Sequence, residues 1–175
     1  WVFTFLQTLK SFNFIENPLT GAPKTIAALS LNKELWQEYR NILHEYSALR
    51  HVQIFGVDHL LLPPQIALLS NLISLNISYC RSASGLEHIT SLEGLENLNL
   101  SGNMVEHIPQ KLSQLSRLTY LDLRNNALTQ FPNCVMRLTN LSYLNMYNNK
   151  LTELPKDLGL LVGLQKLNFT NANQK

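Results

Sequence analysis

The chain has 175 residues, of which 45% are hydrophobic and 15% charged. That is enough for one domain with a sizeable core, and too apolar for a disordered chain. A net charge of +2 is too small to suggest a nucleic-acid partner or an anionic membrane, and no apolar run reaches the length of a membrane-spanning helix.

At Trp1 there is neither an initiator Met nor a signal-peptide pattern, as expected of a fragment or a processed chain. Residues 1–25 follow no repeat and are expected to form an N-terminal cap. VFTFLQTLKSFNFI is apolar enough to pack as strand or short helix, and Asn17-Pro18 and Gly21-Ala22-Pro23 mark turns. The stretch 21–25 (GAPKT) lacks the spacing and the second Gly of a phosphate loop, so no nucleotide site is expected there.

A fixed period governs 26–175, read as about six full repeats and a truncated seventh. Ile26, Leu29 and Leu31 open the first coil. Residues 32–47 then place Leu35, Trp36, Tyr39, Ile42, Leu43 and Tyr46 at helical spacing, with Asn32 as N-cap. The coil from Leu49 keeps Val52, Ile54 and Pro63 but has Val57 where later coils have Asn. The coil from Leu72 has Leu75, Ile77 and Cys80. It has Leu86 in the Pro place, so its return is expected to be helical or otherwise different. Three near-ideal coils follow: Leu95, Leu98, Leu100, Asn103; then Leu118, Leu121, Leu123, Asn126; then Leu141, Leu144, Met146, Asn149. The step is 118 − 95 = 141 − 118 = 23 residues. A seventh strand (Leu164, Leu167, Phe169) begins, and no polar capping repeat follows before Lys175. That end is expected to be covered by further chain or to associate.

The pattern has a physical cause. In LxxLxL the last two Leu alternate with a polar residue, which is strand periodicity. The Asn can hydrogen-bond backbone where the chain turns away from the strand. Ile108-Pro109, Phe131-Pro132 and Leu154-Pro155 suit an irregular return, because Pro cannot donate to a ladder. Each coil buries roughly six apolar side chains at about 1.5–3 kcal/mol each before entropy is subtracted. Half of each buried face belongs to the next coil, so no coil stands alone.

The copies LNLSGN, LDLRNN and LNMYNN, each with its apolar-Pro pair downstream, resemble the leucine-rich repeat superfamily over about 26–173. The 23-residue variety is similar to that of intracellular proteins: the Ras-suppressor and scaffold type, plant Ras-group proteins, and effectors that bacterial pathogens inject into host cells. The resemblance implies an α/β solenoid, a right-handed horseshoe with a parallel concave sheet and an irregular or helical convex side. It also implies protein binding, as a scaffold or adaptor or as an effector bound to a host protein. The alternative class is the substrate-recognition domain of a larger enzyme, such as a ubiquitin ligase, with its catalytic domain elsewhere.

No catalytic constellation, cofactor motif or metal site is read within this chain. His44, His51, His59, His88 and His107 have no second ligand at metal spacing. Cys80 faces inward and Cys134 sits on a return segment with an exposed thiol, on different sides of the solenoid, so no disulfide is expected. Three of four N-x-S/T sequons (Asn76, Asn99 and Asn168, but not Asn140) fall on the strand face, which argues against a eukaryotic secretory route. The expected location is the cytoplasm, or a host cell reached by bacterial secretion.

The residues between the Leu places point outward. The second-place row runs Ala28, His51, Ser74, Asn97, Tyr120, Tyr143, Lys166. The central row is Ser30, Gln53, Asn76, Asn99, Asp122, Asn145, Asn168. The third is Asn32, Phe55, Ser78, Ser101, Arg124, Tyr147, Thr170. The middle strands are small and bland. Tyr120, Asp122, Arg124, Tyr143, Asn145, Tyr147 and Lys166 are the candidate protein-binding residues, because Tyr and Arg dominate hot spots. The other reading is that the amides ladder along the sheet and the tyrosines only shield it.

Overall fold

The computed structural model describes residues 12–13, 28–31, scattered positions between 33 and 46, and 48–169. Its strands are β1 (Phe12–Asn13), β2 (Ala28–Leu31), β3 (His51–Phe55), β4 (Leu60–Leu61), β5 (Ser74–Ser78), β6 (Ala83–Ser84), β7 (Asn97–Asn99), β8 (Tyr120–Asp122), β9 (Tyr143–Asn145) and β10 (Lys166–Asn168). Among the described residues eight strands form one sheet, in the order β1-β2-β3-β5-β7-β8-β9-β10, and every pairing is parallel. Leu29, Val52, Leu75, Leu98, Leu121, Leu144 and Leu167 are mutual partners along it. The 23-residue register therefore runs unbroken from β2 to β10.

The expected cap lies outside the described residues except for β1. That strand extends the sheet with a shorter step, Phe12 pairing Leu29, 29 − 12 = 17 residues on. Of the expected helix after β2, Lys33, Trp36 and Gln37 are helical, and Arg40 N–H donates to Trp36 O at 3.0 Å. Trp36 and Tyr46 are buried. Asn32, Leu35, Tyr39, Ile42 and Leu43 lie outside the described residues.

Opposite the sheet, the chain returns through short 3-10 helices at Pro64–Leu68, Leu86–Ser91, Gln110–Gln114, Asn133–Arg137 and Leu158–Leu160. Pro63, Pro109 and Pro132 stand just before three of them, where a missing N–H costs nothing. The coil without Pro returns through the same kind of helix, entered from Gly85 at φ 79°. Between the layers lies a continuous core in which Leu49, Leu72, Leu95, Leu118 and Leu141 are all 0% exposed.

Two further series repeat with the coil. Asn103, Asn126 and Asn149 are buried. Each stitches its turn to the coil before it: Asn126 Oδ1 accepts from Asn103 N–H (3.2 Å) and Val105 N–H (2.9 Å), and its Nδ2 donates to Leu100 O (2.8 Å). One residue earlier the backbone is left-handed in every described turn: Gly56, Tyr79, Gly102, Asn125 and Asn148 have φ of 64°, 54°, 71°, 55° and 53°. The first four aim their N–H at the carbonyl of the next coil's third-row residue, Ser78, Ser101, Arg124 and Tyr147, at 2.9–3.2 Å. Gly and Asn enter this region cheaply; Tyr79 does not.

Candidate functional site

The seven residues picked out from the sequence come together on three adjacent strands and the turns that follow two of them. Register sets Tyr120 beside Tyr143 and Tyr143 beside Lys166. The Tyr120 and Tyr143 rings stack with centroids 4.4 Å apart and planes 5° from parallel. Lys166 Nζ lies 5.5 Å from the Tyr143 ring centroid, within cation–π range. The row is a Tyr-Tyr-Lys column running across the strands. Burial pushes the Tyr120 phenol up to about 12, with the Asp122 carboxylate and then Tyr143 adding to the shift.

Asp122 and Asn145 are not open to a partner as the strand alternation implies; they are 1% and 3% exposed. Both turn back on their own chain. Asp122 Oδ1 accepts from Arg124 N–H at 3.0 Å, and Asn145 Oδ1 from Tyr147 N–H at 3.0 Å. The tyrosines then cover them: Tyr120 OH donates to Asp122 Oδ2 at 3.4 Å, and Asn145 Nδ2 donates to Tyr143 OH at 3.2 Å. Arg124 Nε stands 3.3 Å from Asp122 Oδ2, in ion-pair range but not aligned as a hydrogen bond. Asn99 makes the same bond to Ser101 N–H at 2.9 Å. At Asn99, Asp122 and Asn145 the central row thus closes strand ends rather than laddering from strand to strand. Its buried carboxylate and amide position Tyr120, Tyr143 and Arg124, which with the exposed Tyr147 and Lys166 form the accessible surface.

The sequence profile of a leucine-rich repeat region matches residues 48–175. The chain belongs to the leucine-rich repeat family. No curated protein sequence matches it. Solved structures do. A leucine-rich repeat protein of Leptospira interrogans is 26% identical, covering 91% of this chain and 45% of its own, with a TM-score of 0.68. Internalin InlF of Listeria monocytogenes is 22% identical over 83% of this chain and 48% of its own, TM-score 0.58, a likeness of fold. The leucine-rich repeat ectodomain of the receptor kinase SOBIR1 from Arabidopsis thaliana is 31% identical over 63% of this chain and 61% of its own, TM-score 0.53. The chain therefore spans less than two thirds of each of these structures.

On this leucine-rich repeat chain the exposed side chains that the sequence reading missed include Tyr79 (59%) and Met104 (66%). Neither lies in an outward strand row. Tyr79 occupies the left-handed turn place, and its ring lies on Gly102, where a Cβ would come within 2.8 Å of Tyr79 Cδ1. The signal was available: it is a Tyr in the place that the next three coils fill with Gly or Asn. Ser78 and Ser101, expected to face outward, are buried.

Cys134 is also buried rather than exposed, and both thiols are free. Burial pushes the Cys134 thiol up to about 11 and raises Cys80 as well, so neither is a ready nucleophile at neutral pH. His51 is exposed on the sheet face. Among the described residues no group of three or more His, Cys, Asp or Glu could hold a metal ion, and no helix is long and apolar enough to cross a membrane.

Proposed function

We propose that this chain is a protein-interaction module whose partner docks on the C-terminal half of the concave face. The observation that carries the reading is the Tyr120–Tyr143–Lys166 column, flanked by Arg124 and Tyr147. Stacking and the buried Asp122–Asn145 pair hold the aromatic surface in place before any partner arrives, which lowers the entropy lost on binding. Tyr and Arg in such a setting are typical anchors. The module acts as an adaptor or scaffold of the intracellular 23-residue type, in the cytoplasm or as a bacterial effector within a host cell.

Affinity capture from cell lysate tests this. The double change Tyr143→Ala with Tyr147→Ala should weaken capture by roughly 30-fold, the equivalent of a hot spot of about 2 kcal/mol, while convex-side Lys156→Ala leaves it intact. Capture that survives the double change and is lost with Lys156→Ala places the site on the other side.

A second reading draws on the likeness to the receptor-kinase ectodomain. On that reading the chain is the recognition part of a larger enzyme. A catalytic domain encoded in the same gene supports it, and a full-length gene without one removes it.

A further inference from the structure

On the sheet face the middle strands, bland in sequence, carry a shallow, open hollow of about 280 Å³, lined by Ser74, Asn76, Asn97, Asn99 and Tyr120 above Leu75. That is close to the lower end of ligand-sized clefts, about 300–1,000 Å³. Three properties define what would fit. The first is an aromatic wall: one face of the Tyr120 ring is covered by Tyr143, so the other face looks toward β7 and the hollow. The second is neutrality, since the lining side chains carry amides and hydroxyls but no charged group. The third is unspent hydrogen-bonding capacity. Asn99 uses its Oδ1 on Ser101 N–H and keeps its NH2 for a ligand. Asn76 Oδ1 has no partner but is shut off from solvent, so it is out of a ligand's reach where it stands.

We propose that this hollow binds one neutral pyranose residue of a saccharide. A pyranose has an apolar C–H face, suited to the electron-rich face of Tyr120. It also has a rim of hydroxyls that both donate and accept, which the Asn97 amide and the Asn99 NH2 can meet. A charged ligand would find no counter-charge here. The inference goes beyond the protein-binding reading and shares only Tyr120 with it.

Saturation-transfer NMR on the whole chain tests the proposal, with the methyl glycosides of glucose, galactose, mannose, fucose, N-acetylglucosamine and N-acetylgalactosamine as probes. At least one should receive saturation mainly on one ring face and shift the Asn97 and Asn99 side-chain amides. Tyr120→Ala and Asn97→Leu should each weaken that binding by roughly tenfold or more, equivalent to about 1.4 kcal/mol, and Tyr147→Ala should leave it unchanged. Asn97→Leu removes the amide at nearly unchanged side-chain shape and leaves both stacked rings, so its loss of binding is not a loss of the stack. The proposal is overturned if no glycoside receives saturation, if binding survives both variants, or if an unglycosylated Gly-Ala peptide shifts the same amides while no sugar does. Capture of a protein partner should be insensitive to Asn97→Leu, so the two readings fail separately.

Discussion

In the coils from Leu95, Leu118 and Leu141 a buried asparagine amide holds the turn, whereas between the coils from Leu49 and Leu72 the main chain does so itself. Asn103 serves the turn before it through Cys80 N–H (2.9 Å) and Ile77 O (2.8 Å), and Asn149 does the same through Leu128 N–H (3.1 Å) and Leu123 O (2.9 Å). Cys80, in the same place, has no amide to offer the coil before it. There the strands are longer, five residues in β3 and β5 against three in β7, β8 and β9. Beyond them His59 N–H, in the place of Val105 N–H, reaches a backbone carbonyl, Cys80 O, and β4 pairs with β6 as a second small sheet. Buried backbone polar groups must be met in either case. An amide at the turn meets them with a short strand; apolar Val57 and Cys80 work where the backbones stay paired further along.

The largest effect expected is from Asn126→Leu. It leaves Asn103 N–H, Val105 N–H, Leu100 O and Leu123 O without the amide that bonds them. At about 1–3 kcal/mol for each buried group left unmet, the cost should be at least about 4 kcal/mol by urea denaturation. A loss below about 1 kcal/mol would mean that the amide is dispensable and the comparison has no energetic content.

Leu75→Ala and Leu121→Ala, one in each region and both at 0% exposure, should each cost about 3 kcal/mol, within the usual 2–5 kcal/mol for buried leucines. Equal losses would show that the two regions differ in their turns and not in their cores. A shift no larger than that of exposed Gln130→Ala would contradict the core assignment.

Cys80→Asn is the converse test. His59 N–H of the turn it would serve is already bonded to Cys80 O, so the new amide finds fewer partners than Asn103 or Asn126 does and should destabilise by about 1–3 kcal/mol. A gain in stability would show that the earlier turn carries unmet groups. The smallest effect belongs to Tyr79→Asn, which puts a residue tolerant of φ near 54° where Tyr is strained. Calorimetry should show a gain of up to about 1 kcal/mol. A loss of that size would mean that the contact of the ring with Gly102 outweighs the strain.

Much of this was legible in the sequence, because strand register follows from side-chain alternation and alternation survives in Leu, Val, Ile and Met alike. Hence Leu29 to Leu167 fall on one line across the sheet. The same alternation correctly brought Tyr120, Tyr143 and Lys166 side by side. It failed on Asp122 and Asn145, since alternation gives the direction of a Cβ but not what neighbouring rings cover or which backbone N–H a short polar side chain turns to. It failed on Tyr79 because a left-handed residue leaves the two-residue rhythm altogether. It failed on Cys134 because burial within a 3-10 return depends on the coils stacked on either side.

The contact between Tyr79 and Gly102 also limits how the coils of this chain could be rearranged. A repeat array invites the idea that its units are interchangeable, so that one could be duplicated, deleted or moved. The unit carrying Tyr79 is not free in this way. Its ring occupies the space where the following unit would carry a Cβ, 2.8 Å from Cδ1, so a successor without Gly in that place would push the ring aside. The unit from Leu95 has it; those from Leu118 and Leu141 have Asn125 and Asn148. Deleting residues 95–117 would keep the period and the hydrophobic register intact and still set Tyr79 against Asn125. The order of the units is thus written in the sequence one side chain at a time.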